Sequence, residues 1–287
     1  MSEWLTRRVI AFAHQGGSFE GPSSTLAAID HALAAGASAI ELDVHATLDR
    51  HVVVCHDETV DRTTNHHGEI ARLTLNALGE MDNAFWWIEG DVVSPGHAPG
   101  EYLLRGRAPI DRRFGVATLE EVAVAFPGVL LNLDIKRTSP EVEPYEELLA
   151  SELRRLERTN SVIVASFHDE AIQRFRSFAP EVATSAATNE TATFYFSSLE
   201  GSATVPPVSA FQVPATYGDI AVVTESFISA AHQAGIAVHV WTINEEAEMA
   251  RLVDLGVDGI VSDRPTPLAA ILKERGCAWD GKLERRS

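Results

Sequence analysis

The sequence predicts an α/β protein, a (β/α)8 TIM barrel in which eight parallel strands are each followed by a helix or a helix-like stretch. Three observations predict it. Short β-rich apolar runs alternate with helical patterns along almost the whole chain, as parallel βα units require. The 287 residues are long for an average domain but ordinary for one barrel. No G-x-G-x-x-G follows the first strand, which weakens a doubly wound open sheet as the alternative.

The elements follow in order. Residues 9–13 are the first apolar run, and a glycine-rich loop, 14–24, leads to a helix started by Ser24-Thr25. Its apolar stripe is Leu26, Ile29, Leu33 and Ala34, and Gly36 fits its C-terminal stop. Residues 39–44 form the second strand. Glu41 and Asp43, two residues apart, share one of its faces. The chain turns at 48–50, returns through Val52 to Cys55 and stops at His56-Asp57. Residues 57–117 break the rhythm with polar turns, a short helical pattern over 73–81 and the aromatic run Phe85-Trp86-Trp87. They read as an inserted subdomain in one domain spanning 1–287, and such an insertion is more often a lid or substrate wall than a spacer. Thr118-Leu119-Glu120-Glu121 starts the next helix. Strands over 129–134, 161–166, 182–185, 209–213, 237–241 and 259–262 then alternate with helices over 140–158, 169–178, 224–234, 245–255 and 267–274. The stretch from 186 to 207 has no clear pattern, and the tail 280–287 is polar.

Hydrophobic residues make up 45% of the chain, which suits a packed core, and no run has the apolar length of a membrane span. The first residues lack the apolar run and small-residue cleavage site of a signal peptide, so cytoplasmic residence is the expectation. A net charge of -18 argues against broad binding to nucleic acid or an anionic membrane. The two cysteines, Cys55 and Cys277, are far apart, and Cys55 lies in an apolar strand. A buried free thiol is expected there rather than a disulfide.

In such a barrel the polar residues after each strand converge on one site. His14 follows strand one, Glu41 and Asp43 end strand two, and His56-Asp57 ends its extension. Asp134 and Lys136 end strand three, Ser166, Phe167 and His168 strand four, Gln212 strand six, Trp241 strand seven and Asp263-Arg264 strand eight. Glu41, Asp43 and Asp134 offer oxygen ligands to a hard divalent cation, Mg2+ or Ca2+, rather than zinc. His14 and His56 offer an acid and a base, and Lys136 a positive charge. The set suits attack on a small phosphodiester. Asp263-Arg264 reads as a barrel-closing ion pair, Trp86-Trp87 as packing of the insertion, and Trp241 equally as mouth packing or substrate wall. His31, His66, His67, His97 and His168 read as surface or loop residues.

From about residue 9 to 268 the chain resembles the glycerophosphodiester phosphodiesterase family. The family's H-R-G and P-E-N-T stand here as His14-Gln15-Gly16 and Pro22-Ser23-Ser24-Thr25. Its E-L-D-V is Glu41-Leu42-Asp43-Val44, and H-D followed by R-T-T is His56-Asp57 with Arg62-Thr63-Thr64. Its L-N-I-E-I-K is Leu131 to Lys136, and Trp241-Thr242-Ile243-Asn244 and Ser262-Asp263-Arg264-Pro265 follow. The resemblance implies a TIM barrel, a divalent cation on Glu41, Asp43 and Asp134, an acid–base pair in His14 and His56, and Lys136 on the phosphate. It implies hydrolysis of glycerophosphodiesters to an alcohol and sn-glycerol 3-phosphate. Gln15, Arg62 and Trp241 complete the expected substrate contacts.

Three departures from the family matter, besides Ser24 in the place of an asparagine. Gln15 replaces an arginine and so loses a charge and a bidentate phosphate donor. Ser23 replaces a glutamate, and Asp134 keeps the charge of a glutamate on a shorter side chain. Arg62, Lys136 and Arg264 are candidates to compensate for the arginine. Two alternatives follow. One is a lysophospholipase D-like activity, with Phe85-Trp86-Trp87 walling an acyl groove. The other is a non-catalytic barrel that binds a phosphodiester.

Overall fold

In chain order the strands are β1 (Ile10–His14), β2 (Ala39–Ala46), β3 (Val52–Val54), β4 (Leu130–Ile135), β5 (Val162–Ala165), β6 (Ala183–Thr184), β7 (Ala210–Pro214), β8 (Thr216–Tyr217), β9 (Ile220–Ala221), β10 (Ala237–Trp241) and β11 (Gly259–Ser262). They belong to a computed structural model that describes residues 3–6, 9–91, 93, 95–136 and 144–279. Eight of them run parallel in the order β6-β5-β4-β2-β1-β11-β10-β7. The ring closes between its end strands: Ser209 N–H donates to Thr184 O (2.8 Å) and Ala186 N–H to Ala210 O (2.9 Å). The expected (β/α)8 barrel is therefore the fold. β3 is the return strand, antiparallel to β2 with Val54 opposite Val44. β8 and β9 form a separate antiparallel hairpin.

The helices are α1 (Glu3–Thr6), α2 (Leu26–Ala35), α3 (Leu75–Gly79), α4 (Leu119–Ala125), α5 (Tyr145–Arg155), α6 (Asp169–Phe178), α7 (Thr188–Leu199), α8 (Glu225–Gln233), α9 (Glu246–Leu255) and α10 (Pro265–Glu274). Local chemistry sets several ends. The Thr25 and Thr118 side chains accept from Ala28 N–H and Glu121 N–H, capping α2 and α4. Gly36 (φ 107°) ends α2 in the left-handed conformation. The helix expected over 140–158 is described from Tyr145 to Arg155. Its expected first residues and the polar tail lie outside the described residues. α7 falls in the stretch that had no clear pattern.

β2 is buried at all eight positions, as a strand covered on both faces must be. Ile10, Phe12, Ala39, Leu130, Ile163 and Val261 fill the barrel interior. Trp4 of α1 closes that interior cluster, stacked on Phe12 at 6.4 Å. Two larger clusters lie between the strands and the outer helices, one including Ile40, Leu131 and Phe175, the other Phe211, Phe227 and Leu252. Each such side chain contributes about 1.5–3 kcal/mol on burial. Among the described residues no helix is long and apolar enough to cross a membrane. Cys55 and Cys277 are not joined in a disulfide, and burial pushes the Cys55 thiol up to about 12.

Residues 57–117 carry only short helices and turns over a small core of Val60, Ile70, Leu78, Met81 and Val116, shared with Val53 and Cys55. They dock on the loop after β1. Asn83 Nδ2 donates to Ser23 O (3.1 Å) and Trp87 Nε1 to Ser18 O (2.9 Å).

Candidate active site

Strand register assembles the site. β1, β2 and β4 are neighbours, with His14 beside Glu41, Glu41 beside Asn132, and Asp43 beside Asp134. Residues in register on parallel strands point the same way, so the four carboxylate- and amide-bearing side chains form two adjacent rows inside the barrel mouth. Lys136, just past β4, bridges the upper row: its Nζ is 2.9 Å from Asp43 Oδ1 and 2.8 Å from Asp134 Oδ2.

The loop after β1 wraps tightly through positive φ at Gln15 (52°), Gly16 (82°) and Gly17 (87°). Glycine is required at 17, where a Cβ would meet the Pro265 ring at 2.8 Å. The wrap brings Gln15 N–H to Glu41 Oε2 (3.1 Å).

Each histidine is held by an aspartate. His14 Nδ1 lies 2.6 Å from Asp263 Oδ1, which also accepts from Ser18 Oγ (2.5 Å); Asn244 Nδ2 donates to Asp263 Oδ2 (2.7 Å). His56 Nδ1 lies 2.7 Å from Asp57 Oδ1, and Arg62 Nε donates to Asp57 Oδ2 (2.6 Å). With Nδ1 so engaged, Nε2 of each ring faces away from its aspartate; that of His14 lies 3.8 Å from Glu41 Oε2.

The electrostatics are those of crowded acids out of water. Burial, then the charge of Asp43, raises the Glu41 carboxyl to about 8, against the opposing charge of His14. Burial raises Asp134 to about 6, with Lys136 acting against it and Asp43 with it. Burial would lower His14, but the hydrogen bond to Asp263 and the charges of Glu41, Asp263 and Asp43 outweigh it and raise it to about 9. Burial would also raise Asp57, yet its bonds to His56 and Arg62 hold it well below the usual carboxylate range.

One cavity of about 530 Å3 is lined by His14, Glu41, Asp43, His56, Asp134, Lys136 and Trp241, so seven of the nine expected site residues meet there. Gln15 and Arg62 do not line it. Gln15 is buried; its Oε1 accepts from Ser23 Oγ (2.6 Å) and its Nε2 is 3.3 Å from His14 Nε2. Gln15 and Ser23, two of the departures, thus satisfy each other as a neutral pair. Arg62 is a second correction, since Asp57 takes its guanidinium. Asp263-Arg264 is a third: Asp263 serves His14, while Arg264 turns outward to Asn244 O (2.9 Å) and Glu246 (3.3 Å).

The aromatic run packs within the insertion, as expected of Trp86-Trp87, and walls no acyl groove. The Arg105 guanidinium packs over Phe85 (4.4 Å), Trp86 (4.6 Å) and Tyr102 (4.0 Å), a cation–π arrangement that holds the insertion together. No described residue of 57–117 lines the cavity. Its apolar side comes instead from α7 and the β8–β9 hairpin, which sequence reasoning missed.

The donors fit a hard divalent cation. Three buried carboxylates crowd together, Asp43 Oδ2 is buried without a hydrogen-bond partner, and all the donors are oxygens. Among the described residues no three metal-ligating groups already converge at ligand spacing, because Lys136 Nζ stands between Asp43 and Asp134.

The sequence model described as "Glycerophosphoryl diester phosphodiesterase family" matches residues 14–266. YhdW of Bacillus subtilis (strain 168) is 31% identical over 258 residues, covering 88% of this chain and 93% of its own. A glycerophosphodiester phosphodiesterase of Caldanaerobacter subterraneus subsp. tengcongensis is 28% identical over 271 residues, covering 94% of this chain and 100% of its own. Two solved structures share the fold. An Oleispira antarctica phosphodiesterase in complex with the product sn-glycerol-3-phosphate has a TM-score of 0.71 at 22% identity, covering 94% of this chain and 99% of its own. A glycerophosphodiester phosphodiesterase of Agrobacterium tumefaciens has 0.67 at 23%, covering 91% and 99%. With the family match spanning barrel, histidines and carboxylates alike, this chain belongs to the glycerophosphoryl diester phosphodiesterase family.

Proposed function

We propose that the chain is a phosphoric diester hydrolase that cleaves glycerophosphodiesters to an alcohol and sn-glycerol 3-phosphate, with a divalent cation, Mg2+ or Ca2+, as cofactor. The observation that carries this is one cavity holding His14 and His56 beside three buried carboxylates and a single lysine. The insertion 57–117 serves as a buttress of the β1–α2 loop within a single-domain barrel.

Charge balance supports the cofactor. With Glu41, Asp43 and Asp134 all ionised, Lys136 and a protonated His14 would leave a net charge of about -1 in a buried site, which a bound cation would offset as the anionic diester enters. Glu41, Asp43 and Asp134 would hold the cation, and the cation would supply charge neutralisation at the phosphoryl oxygens. Lys136 is the one Lys or Arg side chain that lines the cavity among the described residues, and it binds the phosphate. One histidine takes the proton of the attacking oxygen through Nε2 and the other gives a proton to the leaving alkoxide. Asp263 and Asp57 orient the two rings through Nδ1, which leaves Nε2 as the nitrogen that exchanges protons. Trp241 flanks the bound diester.

The test is release of glycerol 3-phosphate from glycerophosphocholine in a coupled assay, with Mg2+ or Ca2+ and with EDTA. Absence of cation-dependent release across a panel of small diesters contradicts the proposal. It would leave the reading of a non-catalytic binding barrel.

A further inference from the structure

The barrel interior is layered. In register, Ala39 on β2 meets Leu130 on β4, and two residues further on Glu41 meets Asn132. Elsewhere in the ring Ala210 on β7 meets Ala237 on β10, and Gln212 meets His239. Ala39, Leu130, Ala210 and Ala237 belong to the apolar bottom layer. The layer above them is polar, and it is bridged. Asn132 Nδ2 donates to Gln212 Oε1 (3.1 Å), and Gln212 Nε2 lies 3.4 Å from His239 Nδ1. β5 and β6 stand between β4 and β7 in the ring, so the first bond crosses the barrel interior. Asn132 and Gln212 line the cavity, and His239 lies beyond its lining. An apolar layer would close this floor without leaving Asn132 Oδ1 and His239 Nε2 buried and without a hydrogen-bond partner.

The bridge has one orientation. His239 is fully buried, and burial lowers it to about 3, so its ring is neutral, with one N–H and one lone pair. The rings around it are Phe12 (4.9 Å) and Trp4 (6.1 Å). Aromatic faces accept an N–H and repel a lone pair. Nε2, which has no hydrogen-bond partner, therefore carries the hydrogen, and Nδ1 accepts from Gln212 Nε2. That turns Gln212 Oε1 toward Asn132. Two bonds leave the Gln212 amide with one N–H and one acceptor lone pair to spare, and Gln212 is only half-buried. A hydroxyl fills both places, since it donates and accepts. A phosphate oxygen only accepts, and an alkyl group or a quaternary ammonium does neither.

Resting on the hydrolase reading above, we propose that Gln212 is a specificity-determining residue that binds a hydroxyl of the diester at the cavity floor, with Asn132 and His239 as positioning residues that hold its amide. Depth supports this. Asn132 lies two residues before Asp134, which holds Lys136 Nζ at 2.8 Å. At roughly 3.3 Å per residue the floor is about 7 Å below the level of the phosphate. A hydroxyl a few bonds from the ester oxygen spans that step. It belongs either to the glycerol that stays on phosphorus or to a polyol head group, and the chemistry that Gln212 recognises is the same in both.

Two pairs of compounds test it. First, sn-glycerol 3-phosphate and propyl phosphate are titrated calorimetrically into the full chain with Mg2+, a measurement that needs no turnover. Second, glycerophosphoglycerol and glycerophosphoethanol are compared as substrates by kcat/KM. A preference of at least about tenfold for the hydroxylated member is expected in one pair. It appears in the first pair if the hydroxyl is that of the retained glycerol, and in the second if it is on the head group. Gln212→Leu is expected to bring that ratio to within about twofold of unity. Should this variant lose its cooperative thermal transition, Gln212→Met takes its place. His239→Phe is expected to cut the ratio at least about threefold while unfolding stays cooperative, which a loss of packing alone would not do. An unchanged ratio there overturns the positioning role. Ratios near one in both pairs, or a ratio that Gln212→Leu leaves intact, overturn the assignment. So does a loss of Mg2+ affinity in Gln212→Leu along with the ratio, which would put the amide on the cation. Turnover without a ratio overturns the assignment and leaves the hydrolase reading standing. A ratio in binding without turnover of either diester overturns the hydrolase reading and leaves the assignment standing. Neither a ratio in binding nor any turnover overturns both.

Discussion

Removing divalent cations should make stability fall as pH rises, and two groups drive the fall. Glu41 is raised from 4.5 to about 8 and His14 from 6.5 to about 9. In each, the folded protein holds a proton that the unfolded chain has released. Glu41 then weakens the fold as pH climbs from 4.5 to about 8, and His14 as it climbs from 6.5 to about 9. Each contributes up to about 1.4 kcal/mol per pH unit within its window. Asp57 and Asp263 have lowered values. Their stabilisation is lost only in acid, below the ordinary carboxylate range. Burial lowers His45 to about 4 and His239 to about 3, so these two act the other way up to about pH 6.5. Between about pH 6 and 8 the cation-free protein should therefore lose on the order of 3 kcal/mol. At roughly 2 °C per kcal/mol for a chain of this size, Tm should drop by about 6 °C. Saturating Mg2+ or Ca2+ favours ionised Glu41, so the slope should flatten and about one proton per cation should be released near neutral pH. Calorimetric scans with EDTA and with cation read the slope. Titration in two buffers of different ionisation enthalpy reads the proton. A flat or rising Tm for the EDTA-treated protein over this range, or cation binding without proton release, refutes the reasoning.

Other expectations concern single side chains. His56→Ala should lower kcat by about 10²–10⁴ while leaving the thermal transition cooperative; an unchanged kcat would remove His56 from the chemistry. Asp263→Asn should lower kcat with little change in KM, because it disturbs the His14 tautomer rather than a substrate contact, and a rise in KM alone would count against that role. Phe211→Ala should cost about 3–5 kcal/mol, since Phe211 is fully buried against Phe194 (4.5 Å) and Phe227 (5.5 Å). Chemical denaturation measures it, and a loss below about 1 kcal/mol would mean that the site collapses around the cavity.

How much was legible in the sequence depended on whether the cause was local. The strands were, because apolar runs bounded by turns report them directly. The shared face of Glu41 and Asp43 was legible from their spacing alone. Asp263 was not assigned to His14, because their contact spans 249 residues and arises only when β11 closes on β1. Arg62 was read as free charge for a phosphate, yet Asp57 lies five residues away and captures it. A closer look at that spacing could have found it. α7 was missed because its Thr-rich, aromatic sequence has weak intrinsic helix preference. Tertiary contacts hold it instead, with Arg176 bonded to Glu190 at 2.6 Å and Phe194 buried against Phe211. The apolar side of the cavity went unseen for the same reason. Packing of the aromatic run was legible, but its partner was not: Arg105, the cation over Phe85 and Trp86, lies nearly twenty residues further on.

The central claim is cation-dependent cleavage by His14 and His56 on the carboxylate half of the barrel mouth. The most direct test is release of glycerol 3-phosphate from glycerophosphocholine by the full chain and by Glu41→Gln, each with Mg2+ or Ca2+ and with EDTA. The account predicts release by the parent chain that EDTA abolishes and cation restores, and little release by the variant under any condition. Release that is indifferent to EDTA, or undiminished in Glu41→Gln, would contradict it.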